Sequence, residues 1–132
     1  MRLLHLIFGV LILVIFLLTG QYMHIYLNHM VGVPDGLRLL YRTRHIFILF
    51  SGLLNFGLAA YVVARPRGWP RIVQWLGSIL IVSASLLFVA AFFYDSTRGD
   101  LIAPLSHWAV YAIAIGTLSH LFSGAGKRRP DL

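Results

Sequence analysis

The sequence predicts an all-α integral membrane protein, a four-helix bundle of up-down-up-down order with both termini cytoplasmic. Three observations lead there. First, apolar runs at residues 3–27, 46–64, 72–94 and 103–122 fill most of the 132-residue chain. A hydrocarbon core of roughly 30 Å needs about 20 helical residues at about 1.5 Å each, and every run meets that need. Second, the runs are continuous and lack the alternation of a lipid-facing barrel strand. Third, the basic residues sort by loop. Arg2, Arg65, Arg67, Arg71, Lys127, Arg128 and Arg129 fall on one side with Asp131, and Arg38, Arg42, Arg44 and Arg98 on the other with Asp35, Asp95 and Asp100. Seven Lys and Arg against four make the first side cytoplasmic. The chain therefore reads as a single multi-pass domain, residues 1–132, of the cell inner (plasma) membrane, spanning at about 3–27, 38–64, 72–94 and 104–122.

Each element has a local reason. The first helix runs past its apolar stretch toward Met30, with Tyr22 and Tyr26 at the outer interface where amphipathic rings settle. Its one Arg and apolar run resemble a signal peptide, but the run is too long and no small-x-small cleavage site follows, so it is a retained span. Val33-Pro34-Asp35-Gly36 is a turn. Helix two starts near Leu37 or Arg38 and enters the membrane around His45. Residues 65–71 form a short basic inner loop with an interfacial Trp69. Helix three ends at Tyr94-Asp95, residues 96–103 make the outer return, and Pro104 suits the first turn of helix four. A flexible basic tail occupies 124–132. Gly77, Ala84 and Ala91, continued by Asp95, and on helix four Ala109, Ala112, Gly116, Ser119 and Ser123, mark faces where helices approach closely in lipid.

Composition removes several function classes. Apolar residues make up 59 % of the chain and mean hydropathy is +0.83, which leaves no room for a soluble domain. The absence of cysteine excludes thiolate chemistry. A net charge of +7 belongs to the membrane surface and its lipids rather than to nucleic acid, because it sorts by loop. There is no glutamate, no glycine-rich phosphate loop, no HExxH and no Gly-x-Ser-x-Gly. No Asp, Glu, Lys or Arg lies at mid-depth, so no charged relay crosses the membrane.

What remains is histidine and an outer cationic patch. His5 and His120 fall at the inner ends of spans, His24, His45 and His107 at the outer ends, and His29 beyond. Histidine is a common metal and haem ligand, yet an interfacial ring that reaches water needs no such role. Helical geometry turns His120 toward the bundle near Gly116 and turns His107 away. Two pairs result: His5 with His120 on the first and last helices, and His24 with His45 on consecutive ones. A planar cofactor held by one His from each of two helices suits either pair, so all four are candidate cofactor-binding residues; which metal they would hold stays unknown. Helix number and histidine placement are loosely similar to membrane di-haem cytochromes of the b561 type and their shortened bacterial relatives, a resemblance that implies haem b and exchange of electrons with quinol.

Arg38, Tyr41, Arg42, Arg44 and Asp95 form the candidate ligand or anion site at the outer rim. Two guanidinium groups four residues apart suit phosphate or carboxylate, with lipid phosphate as the plain ligand, pairing with Asp35, Asp95 or Asp100 as the plain internal alternative, and an anionic substrate, quinone headgroup or haem propionate as the functional one. Asp95 is either a helix-end ion pair or a proton-transfer group beside His45 or His24. Asn55 and Ser51 bond across helices near mid-membrane. Three functions compete: an accessory or interaction subunit of a larger membrane assembly, or a homo-oligomer, docking through the outer Arg/His/Tyr surface; a b-type haem electron carrier; and a small lipid or anion binder or carrier. The sparse chemistry favours the first, with no catalytic residue assigned. An enzyme built on this chain would be a haem-dependent membrane oxidoreductase.

Overall fold

The computed structural model describes residues 1–65, 67–98 and 104–124, and the side chains of all of these except 97 and 98. Four helices account for nearly all of them: α1 (Arg2–Ile25), α2 (Asp35–Tyr61), α3 (Trp69–Arg98) and α4 (Pro104–Gly124), with a 3₁₀ turn at Asn28–Met30 and no strand among the described residues. Three helical segments, Arg2–Ile25, Asp35–Tyr61 and Trp69–Ser96, are long and apolar enough to cross a membrane. The fourth expected span is a helix of 21 residues, about 31 Å of rise, but it falls outside that set. Ser106, His107, Thr117, Ser119, His120 and Ser123 dilute its apolar residues.

The helix ends differ from expectation for identifiable reasons. Pro34, at φ −54° and ψ 144°, caps α2, so the helix opens at Asp35, ahead of Leu37. Arg38 N–H donates to Pro34 O at 3.0 Å, and the Asp35 carboxylate lies at the positive end of the helix dipole. Helix α3 continues past Tyr94-Asp95 to Arg98. Asp95 is buried and bonded there, so the helix has no need to end where the acid would meet water. Helix α2 stops at Tyr61, and the residues after it leave helical geometry, with Val62 extended at φ −66° and ψ 125°. Their freed backbone groups find side chains: Arg65 N–H donates to Gln74 Oε1 (3.1 Å), Gln74 Nε2 to Val63 O (2.8 Å) and Arg2 Nε to Val62 O (2.8 Å). Between α1 and α2, Asn28, His29 and Met30 all take positive φ (43°, 56° and 66°). Left-handed backbone is costly without glycine. The Met30 side chain, buried in the core, holds that turn in place.

Helix α1 packs on α2, α2 on α3, and α3 most closely on α4. Ile12, Ile48, Ile81, Ala84, Phe88 and Phe92 form the buried centre, while Leu, Ile and Val side chains of every helix face outward. Gly77, Ala84, Ala91 and Asp95 are all buried, as the small-residue spacing predicts, and so are Ala109, Gly116 and Ser123. Gly77 and Gly116 meet: a Cβ on Gly77 would lie 2.8 Å from Gly116 O, and one on Gly116 would lie 2.8 Å from Gly77 O. Glycine at both positions is what allows the two backbones this separation. The residue 125–132 tail, the outer return at 99–103 with Asp100, and Pro66 lie outside the described residues.

Candidate functional site

Most buried polar side chains of the core gather in two centres. The first joins all four helices. His5 of α1 is fully buried, with Nδ1 2.8 Å from Asn55 Oδ1 of α2 and Nε2 2.9 Å from Ser78 Oγ of α3. Ser78 Oγ also lies 3.1 Å from His120 Nε2 of α4. Asn55 Nδ2 donates to Ser51 O (2.9 Å) and to Ser85 Oγ (3.1 Å), and Ser85 donates to Ile81 O (2.9 Å).

These bonds define a direction. Both Asn55 amide protons are engaged, so Oδ1 accepts and His5 Nδ1–H donates. A neutral His5 then accepts at Nε2 from the Ser78 hydroxyl, and Ser78 accepts from His120 Nε2–H. His120 Nδ1 is left as a buried acceptor with no partner among the described residues. The chain thus assigns one tautomer to each imidazole. A serine, a histidine and an asparagine in this order also have the connectivity of a nucleophile, base and orienting group. Ser78, His5 and Asn55 are nevertheless fully buried, each with zero exposure, so no substrate reaches the hydroxyl in this conformation.

The second centre ties α2, α3 and the start of α4. Asp95 Oδ2 accepts from Ser106 N–H (3.0 Å) and Ser106 Oγ–H (2.9 Å), in the first turn of α4, where the helix dipole favours an anion. Arg44, only 3 % exposed, faces this carboxylate with Nε at 3.9 Å. Its remaining contacts are long: Nε to Ser106 Oγ at 3.3 Å and Nη1 to Ser96 Oγ at 3.5 Å. Of the internal pairings considered for the arginine cluster, Arg44 with Asp95 and Arg38 with Asp35 (3.3 Å) are formed.

The other candidate residues disperse. Arg38 also donates to Val33 O at 3.1 Å, Tyr41 is buried against Phe92, and Arg42 is exposed. His45 stacks on Phe16, with ring centroids 4.1 Å apart, and its Nδ1 lies 3.0 Å from Thr19 Oγ1. His24 is exposed and meets His29, with centroids at 3.9 Å, so its ring partner is the turn histidine and His45 is held elsewhere. His5 and His120 do come together, at 5.8 Å and an interplanar angle of 69°. That geometry does not fit bis-imidazole haem ligation: both Nε2 atoms point at one serine hydroxyl, and the fully buried Ser78 occupies the place between them. No group of three or more His, Cys, Asp or Glu side chains with metal-site geometry occurs among the described residues.

Ser78 and Ser85 of the first centre and Ser106 of the second carry no role in the sequence reading, and neither does Gln74, which ties the residues after α2 to α3. Ser78 and Ser85 had a readable signal, since they stand seven apart beside the Gly77-Ala84 seam. Ser106 had none, because its role depends on where α4 begins relative to Asp95. No family model, curated protein or solved structure matches the chain.

Proposed function

We propose that the protein is a small polytopic inner-membrane protein that serves as an accessory or interaction subunit of a larger membrane assembly, with four spans in up-down-up-down order and both termini cytoplasmic. The contacts support that order: Arg2 with Val62 and Thr19 with His45 run α1 and α2 in opposite directions. Phe47 with Phe88 and Asn55 with Ser85 do so for α2 and α3, and Ser106 with Asp95 and Gly116 with Gly77 for α3 and α4. The basic inner loop and the weaker positive charge outside support the orientation.

One observation carries the functional reading. The residues with chemical potential, His5, Asn55, Ser78 and His120, bond to one another across all four helices. Such a chain makes a rigid scaffold, and in lipid each cross-helix bond is worth about 0.6 kcal/mol and at most about 1.7. Activity then belongs to the surface, where the outer rim offers exposed Arg42, His24, His29 and Tyr26 to a partner.

The test is extraction of the tagged chain from its native membrane at native abundance in mild detergent. The reading expects a stoichiometric membrane-protein partner on native gels, and a lone monodisperse monomer or homodimer would refute it. Orientation is checked separately on a chain with no native cysteine: Arg67→Cys should be labelled only from the cytoplasmic side and Asp35→Cys only from outside.

A further inference from the structure

The guanidinium of Arg44, held by long hydrogen bonds to Ser106 and Ser96, lies beside a cavity. Between α2 and α4, Leu40, Thr43, Arg44, Phe47, His107 and Val110 line a space of about 280 Å³. Small-molecule sites run from roughly 300 to 1,000 Å³, so this one takes a headgroup, with the rest of the ligand outside in the acyl chains. The walls are predominantly apolar, and Arg44 is more than nine-tenths buried with no bond shorter than 3.3 Å among the described residues. A guanidinium out of water needs more than that, which makes its N–H groups strong donors toward an entering oxygen.

Charge decides what kind of oxygen. The Asp95 carboxylate 3.9 Å away already offsets Arg44. A phosphate or carboxylate would bring a second negative charge next to a buried acid, whereas a neutral carbonyl accepts an N–H without adding charge. Exposed His107 offers a second donor on the wall, and Phe47 a flat apolar face for a planar ring. We propose that the groove between α2 and α4 binds the headgroup of a membrane quinone, one carbonyl toward Arg44 and the ring along Phe47, with its isoprenoid tail leaving past exposed Leu39 and Val110. This goes beyond the accessory reading and does not depend on it.

Trp108, exposed and next in sequence to His107 of the groove, serves as the fluorescent probe, while Trp69 and Trp75 belong to the start of α3. The chain carrying Trp69→Phe and Trp75→Phe is placed in phosphatidylcholine nanodiscs and titrated with decyl-ubiquinone. The proposal expects saturable quenching of Trp108. Val110→Phe, which fills the groove from a 41 % exposed position, should raise the half-saturating concentration at least 5-fold, and Val10→Phe, similarly exposed on α1, should leave it unchanged. Linear quenching without saturation overturns the proposal, as does an equal response of the two variants. So does a saturable change in Trp108 fluorescence on titration with short-chain phosphatidylglycerol and none with the quinone, which would make the groove a lipid-phosphate site.

Discussion

Gly77→Ala tests how tightly α3 and α4 are bound. The added Cβ would lie 2.8 Å from Gly116 O and 3.0 Å from both His120 Cδ2 and Ser119 Cβ. Ordinary contact begins near 3.4 Å, so the opposing carbonyl must retreat by about 0.6 Å, and being backbone it takes α4 with it. Overpacking of this kind costs about 1–3 kcal/mol. The same retreat stretches Ser78 Oγ to His120 Nε2 from 3.1 Å past hydrogen-bonding range, which adds about 0.6 kcal/mol at the typical membrane value. The total is about 2–4 kcal/mol. Steric-trap unfolding of the detergent-solubilised protein measures it, with Gly57→Ala as control because a Cβ there meets nothing within 4 Å. Helix propensity favours alanine at both positions, so only packing separates them. If Gly77→Ala falls within about 0.5 kcal/mol of Gly57→Ala, the close α3–α4 approach is wrong.

The buried ion pair and the amide at the centre of the chain give two further expectations. Asp95→Asn leaves the Arg44 guanidinium buried without its counter-charge and should destabilise by about 3–5 kcal/mol in the same assay, whereas Arg44→Met combined with Asp95→Leu should recover most of the loss. A double variant as unstable as Asp95→Asn alone would contradict the pairing. Asn55→Leu removes the acceptor of His5 and the donor to Ser85 and should cost about 1–3 kcal/mol, and Gln21→Leu, exposed on α1, should cost much less. Equal losses would show that Asn55 is not a cross-helix tie.

The helices were legible because apolar run length and lipid thickness are one constraint, and the small residues of α3 were legible because close approach demands them. Asp95 illustrates the boundary. Its place on the Gly77-Ala84-Ala91 line marked it as inward-facing, but its partners Ser106 and Arg44 come from other helices and are set by register, which periodicity does not encode. His5 and His120 meet in space as helix adjacency predicts, yet the serine between them is marked in the sequence only by its place beside Gly77 on the small-residue seam. His24 went to His29 because the chain turns left-handed through three non-glycine residues, a conformation no local rule anticipates there. The fourth helix shows the same limit from the other side: the polar residues that dilute its hydropathy include Ser106 and His120, which join it to the core.

Whether the core histidines are structural ties is tested most directly by ¹⁵N NMR of histidine-labelled protein in nanodiscs, with His5 and His120 assigned by single substitutions. The imidazole nitrogen shifts should show His5 neutral with its proton on Nδ1 and His120 neutral with its proton on Nε2. Reversed tautomers, a charged imidazolium at either position, or the large shifts of an iron-bound nitrogen would contradict the account.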